Sequence, residues 1–150
     1  MNILIPVDGT ELSLHVTRFA LRLAQEGLKT RIILANAQEP ASLYERLTSH
    51  DDARMLADMT QETGEDMIES ARRLVNNAGL VHESVVITGD PAASIIELAQ
   101  IHACDLIVMG TRALGALRSA IEGSVSRSVV EGATVPVLIV KAPDPIRDEA

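Results

Sequence analysis

The chain alternates between short runs rich in apolar residues and longer segments in which apolar residues recur every three or four positions. The short runs lie at residues 3–7, 31–35, 84–87, 106–109 and 137–140. Such runs, with few polar residues between the apolar ones, are typical of strands covered on both faces, as in parallel sheets. Spacing of three to four is typical of helices with one buried face. The alternation therefore predicts βαβ units, an α/β fold whose five-stranded parallel sheet carries helices on both faces.

Residue types at the segment ends predict where the helices begin and end. The first helix is expected to start at Ser13, a favourable N-cap residue, and to stop at Gly27. Two further helices are predicted at residues 55–75 and 93–103, and another helical stretch before the fifth strand. The apolar pattern weakens over residues 41–52, which we expect to be a mobile connection. A single domain spanning residues 1–150 is predicted, with an extended tail at 142–150.

Charge and aromatic content narrow the class of partner. The chain has 13 Lys+Arg against 21 Asp+Glu, a formal charge of −8, and only 1% aromatic residues. Binding to nucleic-acid phosphates needs cations, and binding to single strands needs aromatic stacking surfaces, so no nucleic-acid partner is expected. No leader-like segment opens the chain, and no apolar stretch approaches the roughly 20 residues that cross a bilayer. We therefore expect a cytoplasmic protein without a membrane partner.

The only cysteine, Cys104, lies beside the predicted fourth strand. A single cysteine excludes an internal disulfide and a cysteine-rich zinc site. Free cysteines next to apolar strands behave as small apolar residues more often than as nucleophiles. The sequence therefore predicts a buried, unreactive thiol at this position.

Ligands of open α/β sheets bind beyond the carboxyl ends of the strands, where the strand order reverses. This rule selects Asp8, a predicted turn at residues 35–38 and the segment from Gly110 onward. In that segment Ser124 can cap a helix whose free N–H groups favour an anion, and Arg112 adds a positive charge. A glycine-containing turn with an ordinary helix cap explains the same spacing equally well. The residues alone therefore leave a phosphate-binding loop and a plain turn as alternatives.

Three motifs together extend the interpretation. The chain opens with Ile-Leu-Ile-Pro-Val-Asp-Gly-Thr-Glu-Leu-Ser, continues at residue 105 with Asp-Leu-Ile-Val-Met-Gly-Thr-Arg, and closes with Gly-Ser-Val and Val-Pro-Val-Leu-Ile-Val. Over essentially the whole chain, these motifs resemble the universal stress protein family. The resemblance implies a Rossmann-like sheet of the adenine nucleotide alpha hydrolase type and a stress-response regulatory role. It also implies binding of ATP, with or without Mg²⁺, or of AMP or another adenine nucleotide, and a homodimer formed through Val137–Val140.

ATP-binding members of that family share a glycine pattern: Gly, two residues, Gly, nine residues, then Gly-Ser or Gly-Thr. Gly110 matches the first glycine, and Gly123 with Ser124 matches the end of the pattern. The second glycine falls on Ala113, with Gly115 close by. Where a positive φ is needed, alanine costs on the order of 1 kcal/mol, so this departure is expected to weaken ATP binding.

The resemblance also implies which residues contact the nucleotide. Pro6, Val7 and Asp8 are expected beside the nucleoside, with Asp8 near the adenine or ribose. Ala37 stands where the family has a valine beside the adenine, so stacking there is expected to be looser. The complete expected set is Pro6, Val7, Asp8, Ala37, Met109, Gly110, Thr111, Arg112, Ala113, Gly115, Gly123, Ser124, Val125 and Ser126.

Motifs of dedicated catalysis are missing from the sequence. It contains no Gly-x-Ser-x-Gly elbow and no His-Glu-x-x-His, and its histidines are dispersed without zinc-site spacing. The missing motifs argue against a dedicated catalytic activity, and the resemblance implies a nucleotide-binding regulatory protein. Two alternatives remain: a nucleotide-free dimerisation module, if Ala113 and Ala37 mark a lost pocket, and a slow ATPase or autokinase with Ser124 as phosphate acceptor.

Overall fold

The computed structural model describes residues 1–39, 53–111 and 124–143. The predicted mobile connection at 41–52 and most of the predicted tail thus lie outside the described residues. The elements are β1 (Asn2–Pro6), α1 (Glu11–Gln25), β2 (Arg31–Gln38), α2 (Ala53–Asn77), β3 (Val81–Thr88), α3 (Pro91–Ile101), β4 (Leu106–Gly110), α4 (Ser124–Gly132) and β5 (Val137–Val140).

The five strands form one parallel sheet in the order β3-β2-β1-β4-β5. The chain starts in the centre of the sheet, proceeds outward to β3, and then crosses to the other side of β1 to add β4 and β5. The prediction of a five-stranded parallel sheet with intervening helices is confirmed. Because the strand order reverses between β1 and β4, their carboxyl ends border the crevice in which such folds bind ligands.

Two apolar layers cover the sheet, one on each face. Side chains alternate along β1, so Ile3 and Ile5 pack against α1 and α2 while Leu4 packs against α3 and α4. All three of these side chains are fully buried. Burial on both faces explains why the central strands consist of uninterrupted apolar residues.

Helix α1 begins earlier than the sequence predicts. Its N-cap is Thr10, whose Oγ1 accepts a hydrogen bond from the Ser13 main-chain N–H at 3.3 Å. Ser13, the expected N-cap, instead lies buried in the first turn, and its hydroxyl donates to the Thr10 carbonyl at 2.9 Å. The helix begins at Thr10 and not at Ser13 because the Asp8 carboxylate holds Thr10 in the N-cap position. The predicted stop is confirmed: the helix ends at Gln25, and Gly27 follows with φ +104°.

Strand β2 is longer than predicted, and the expected turn at residues 35–38 is wrong. The strand continues to Gln38, which pairs with Thr88 of β3. Its polar residues remain in the strand because their side chains find partners in the interior: Asn36 Nδ2 donates to the Val7 carbonyl at 2.8 Å, and Gln38 Nε2 donates to the Thr60 carbonyl at 3.2 Å. Satisfied amides of this kind can be buried at little cost.

Helix α3 also starts before its predicted position. Its N-cap is Asp90, whose Oδ2 accepts from the Ala93 N–H at 2.9 Å, and Pro91 occupies the first turn. Proline suits that position because its fixed φ is helical and the missing N–H has no partner inside the helix. The helix therefore spans Pro91–Ile101 where residues 93–103 were expected.

Candidate functional site

A cavity lies between the carboxyl ends of β1 and β4. Its volume is about 210 Å³, including its mouth, which is open to solvent. Pro6, Asp8, Thr10, Leu12, Ser13, Val16 and Gly110 line it. This is the position at which the strand order reverses, so the crevice expected from the topology is present.

The turn after β1 forms one wall of the cavity. Asp8 Oδ1 accepts two hydrogen bonds from Thr10, one from the main-chain N–H at 3.0 Å and one from Oγ1 at 2.5 Å. Gly9 between them has φ +80°, a left-handed conformation that favours glycine. Asp8 therefore ties down the first turn and directs the chain into α1. The same geometry holds its carboxylate at the cavity.

Val7 lies between Pro6 and Asp8 in the chain but does not line the cavity. Its side chain is fully buried in the layer formed by α1 and α2. Its N–H donates to the Ala35 carbonyl at 2.8 Å, and its carbonyl accepts from Asn36 Nδ2 at 2.8 Å. The main chain that carries Asp8 is therefore fixed to β2 on both sides of the Val7 residue.

Gly110 at the end of β4 has a packing role that the sequence did not reveal. A methyl group on this residue would stand 3.1 Å from both Cγ and Cδ2 of Leu12 and 3.2 Å from Cγ2 of Val16. Those distances are tighter than ordinary side-chain contacts. Glycine thus allows α1 to approach β4 closely, which brings the first turn of that helix to the edge of the crevice.

The start of α4 lies beside the end of β4. Ser126 is nine-tenths buried, and its hydroxyl donates to the Thr111 carbonyl at 3.5 Å. Val125 packs against the apolar layer of α3 and α4, in which Met109 is fully buried. The first turn of α4 is therefore held against the same sheet edge that carries Gly110.

The expected site residues fall into separate groups. Pro6, Asp8 and Gly110 meet at the cavity, whereas Thr111, Val125 and Ser126 lie together at the start of α4. Ala37 is buried at the carboxyl end of β2 and does not line the cavity. Arg112, Ala113, Gly115 and Gly123 lie outside the described residues, as does the side chain of Ser124.

Sequence reasoning missed the contribution of α1 to the cavity. Thr10, Leu12, Ser13 and Val16 all line it. The reversal rule could have found Thr10, because this residue closely follows the strand whose end borders the crevice. Leu12 and Val16 belong to the apolar layer between α1 and the sheet. Their position under Gly110 becomes visible only when α1 is placed against β4.

Cys104 is separate from this site. It is buried at the opposite end of β4, with 5% of its surface exposed. Burial, followed by the nearby charge of Asp105, raises the pKa of the thiol to about 11. A thiol with this pKa is protonated at neutral pH, and the predicted burial of Cys104 is confirmed.

The described residues show neither a metal-binding cluster nor a membrane-spanning helix. Across residues 1–39, 53–111 and 124–143, no three His, Cys, Asp or Glu side chains come together in a way that could hold a metal ion. In the same ranges, no helix combines the length and apolar character needed to span a bilayer.

Known proteins match this chain along nearly its full length. Residues 1–141 match the model of the universal stress protein family. The universal stress protein MJ0531 of Methanocaldococcus jannaschii is 29% identical over 142 residues, which cover 95% of this chain and 82% of that protein. A universal stress protein of Thermus aquaticus, from the 3′ region of a QAH/OAS sulfhydrylase, is 34% identical over 145 residues, covering 93% and 98%.

Solved structures share the fold. The protein MJ0577 superimposes with a TM-score of 0.79 at 20% identity, over 96% of this chain and 97% of that one. A universal stress protein in complex with cAMP gives a TM-score of 0.68 at 25% identity, over 93% and 96%. A family protein from Arabidopsis thaliana with AMP bound gives 0.68 at 19% identity, over 96% and 93%.

Proposed function

Because this chain belongs to the universal stress protein family, we propose that it binds an adenine nucleotide in the crevice between β1 and β4 and acts as a stress-response regulator. The observation that carries the proposal is the cavity itself, which brings Asp8 and Gly110, from two separate sequence motifs, to the point where the strand order reverses. The relative with cAMP, at 25% identity, supports an adenine nucleotide as the class of ligand.

Within that class, we propose ATP, with its nucleoside near Asp8 and its phosphates at the start of α4. The first N–H groups of a helix have no partner inside the helix, and together with the helix dipole they favour an anion. Helix α4 begins at Ser124, where the family pattern of glycines ends. The hydrogen bond from Ser126 to Thr111 holds this helix start close to the crevice.

A homodimer is proposed through β5. This strand pairs with β4 on one side and forms the edge of the sheet in the described structure. The Ile107 N–H donates to the Pro136 carbonyl at 3.0 Å, and Ile107 is in register with Val137. Because main-chain groups alternate in direction along a parallel strand, those of Val137 and Ile139 point away from β4. They are available to pair with the same strand of a second copy related by a two-fold axis.

Calorimetric titration of the purified protein with ATP and Mg²⁺, beside AMP and cAMP, tests the proposal. We expect measurable heat and a rise in the midpoint of thermal unfolding, because a ligand bound only by the native state must stabilise it. Titration in EDTA separates a requirement for Mg²⁺ from binding of the nucleotide alone. Absence of both heat and stabilisation at millimolar concentrations of all three nucleotides would favour the nucleotide-free interaction module instead.

A regulatory role requires more than binding. ATP can shift an equilibrium between two states only if it binds one of them more tightly. We therefore expect the dimer dissociation constant or the affinity for a partner to change when ATP is present. Sedimentation equilibrium with and without saturating ATP measures the first quantity, and identical constants would argue against a switch acting through the dimer.

A further inference from the structure

A buried amide lies directly beneath the turn that carries Asp8. The side chain of Asn36 on β2 is 1% exposed. Its Nδ2 donates to the Val7 carbonyl at 2.8 Å and contacts the Met67 sulfur at 3.3 Å. Its Oδ1 accepts from Gln38 Nε2 at 2.9 Å. The Asn36 amide therefore has partners at both ends.

These partners determine the orientation of the Asn36 amide. A main-chain carbonyl can only accept, so the NH₂ end must face Val7. The carbonyl end faces the amide of Gln38, which also donates to the Thr60 carbonyl of α2 at 3.2 Å. A buried amide that lost one of these bonds would be left unsatisfied, and that is unfavourable in the interior.

Asn36 extends the link between β1 and β2 beyond their main-chain pairing. The register of the two strands ends at Pro6 and Ala35. One residue further on, the side chain of Asn36 binds the Val7 carbonyl. Val7 is the residue immediately before Asp8. The Asn36 side chain therefore fixes the carbonyl of the peptide group that leads into Asp8.

The turn also lies close to α2. A Cβ added to Gly9 would stand at the ordinary contact distance of 3.5 Å from the Met67 Cα and Cγ, so no more than a methyl group fits between the turn and this helix. The sulfur of the same Met67 side chain contacts the Asn36 amide. Asn36 and Met67 thus support residues 7–9 from the α2 face of the sheet, and the carboxylate of Asp8 remains at the cavity.

We infer that Asn36 is a positioning residue of the nucleotide site, which holds the Val7 carbonyl and thereby sets the position of Asp8 at the crevice. Asn36 is not among the residues that line the cavity, so it acts through Val7 and not by contact with the ligand. The inference rests on the proposed function, since it assigns to Asn36 a role in that same site.

A matched pair of amide-to-acid substitutions tests the inference. Asn36→Asp keeps the size and the acceptor for Gln38 but removes the donor to Val7. Gln38→Glu makes the same chemical change two residues along the same face of the strand: it removes the donor to Asn36 Oδ1 and to the Thr60 carbonyl but leaves the Asn36 donor to Val7 in place. Both place a buried acid next to α2, so both are expected to lower the denaturation midpoint. Only Asn36→Asp is expected to raise the dissociation constant for ATP, by at least tenfold, whereas Gln38→Glu changes it by less than threefold.

Hydrogen exchange in the ligand-free protein provides a readout that does not depend on nucleotide. The Val7 N–H donates to the Ala35 carbonyl of β2, and the Thr10 N–H donates to Asp8 within the turn. We expect them to exchange faster in Asn36→Asp than in the wild type, by at least tenfold, and to stay within threefold of the wild type in Gln38→Glu. The uncharged pair Asn36→Leu and Gln38→Leu repeats both measurements if an acid variant does not fold.

Equal losses of affinity in the two variants, or an unchanged affinity in Asn36→Asp, would overturn the inference, because Asn36 would then act only on stability. If the wild type binds no adenine nucleotide, the proposed function fails, and the role of Asn36 in a nucleotide site fails with it. The exchange comparison still decides in that case whether Asn36 holds the turn. The two failures are therefore distinguishable.

Discussion

Gly64 in α2 lies so close to Val86 in β3 that a methyl group on its Cα would stand 2.5 and 2.6 Å from the two Val86 methyl carbons. Side chains do not make contacts this short, so the helix would have to move away from the sheet. Glycine in the interior of a helix costs about 1 kcal/mol relative to alanine. In this 25-residue helix, that cost is offset by the close approach it permits between α2 and the sheet.

We predict that Gly64→Ala lowers the free energy of unfolding by about 2 kcal/mol, because overpacking outweighs the gain in helix propensity. The cost should fall in a Val86→Ala background, where the obstructing methyls are gone and only the Asn36 Oδ1, 3.1 Å from the added methyl, still crowds alanine at 64. Denaturant unfolding of the four proteins in this cycle measures both values. The same cost in both backgrounds would show that the Val86 contact is not the cause.

Asp90 provides a matched control for substitution of Asp8 in the proposed nucleotide site. Each carboxylate accepts a main-chain N–H at the start of a helix, from Thr10 at 3.0 Å and from Ala93 at 2.9 Å. Replacing either by alanine should lower the free energy of unfolding by about 1 kcal/mol. Only Asp8 lines the cavity, so only Asp8→Ala should raise the dissociation constant for ATP. We expect an increase of about tenfold or more, consistent with loss of a hydrogen bond to a charged group.

Calorimetric titration of both variants tests this prediction at one salt concentration. Asp90→Ala should match the wild type within about twofold, which excludes an effect of helix capping in general. Similar affinities for Asp8→Ala and the wild type would place the nucleotide away from the β1 turn.

The buried thiol of Cys104 predicts a loss of stability at alkaline pH. Its pKa rises from the ordinary 9.0 to about 11 in the folded protein. Below about pH 9 the thiol is protonated in both the folded and the unfolded chain, so it adds no pH dependence. Between pH 9 and 11 the unfolded chain loses this proton and the folded chain retains it. Unfolding therefore becomes easier as the pH rises, by up to about 1.4 kcal/mol per pH unit.

Comparison with Cys104→Ala isolates this contribution, because the titration of lysines and tyrosine is common to both proteins. Denaturant unfolding under reducing conditions at pH 8 and pH 10.5 should show the stability advantage of the wild type shrinking by about 2 kcal/mol. Parallel pH profiles for the two proteins would show that the thiol titrates at the same pH in both states.

Edge pairing through β5 predicts that one main-chain donor controls the oligomeric state. Ile139→Pro removes an N–H that points away from β4, and Ile139→Val keeps it. Proline is tolerated on sheet edges when the lost donor does not belong to the ladder. Each dimer loses two such bonds by symmetry, worth about 1 kcal/mol each, so we expect at least tenfold weaker dimerisation for Ile139→Pro.

Sedimentation velocity over a range of micromolar concentrations measures this change, with circular dichroism to verify the fold. The valine variant should sediment as the wild type does. A folded Ile139→Pro protein that dimerises as tightly as the wild type would move the interface away from β5.

The strands could be predicted from the sequence because strands buried on both faces consist of apolar residues. Ile3 and Ile5 face one apolar layer and Leu4 faces the other, so every residue of the run is apolar. The end of β2 could not be predicted in this way, because it contains polar residues. Asn36 and Gln38 have the composition of a turn, and only the placement of Val7 and Thr60 beside them shows why the strand continues.

The candidate site also combines features that local sequence predicts with features that only three-dimensional packing determines. Asp8 and Gly110 could be selected because the topology rule refers to strand ends, and the sequence locates the ends of β1 and β4 to within one residue. The contribution of Leu12 and Val16 depends on how closely α1 approaches β4, a distance set by packing between segments about a hundred residues apart. Such three-dimensional distances have no counterpart in local spacing.

The central place of β1 in the sheet has a consequence during protein synthesis. Ile3 pairs with Leu106, so one side of the first strand has no partner until about a hundred further residues have been translated. At about 5–20 residues per second, that interval lasts on the order of 5–20 s. During it, β2 and later β3 can join β1 as they are translated, but the open side of β1 stays accessible to other strands. Completion of β4 therefore both ends this aggregation-prone period and creates the crevice.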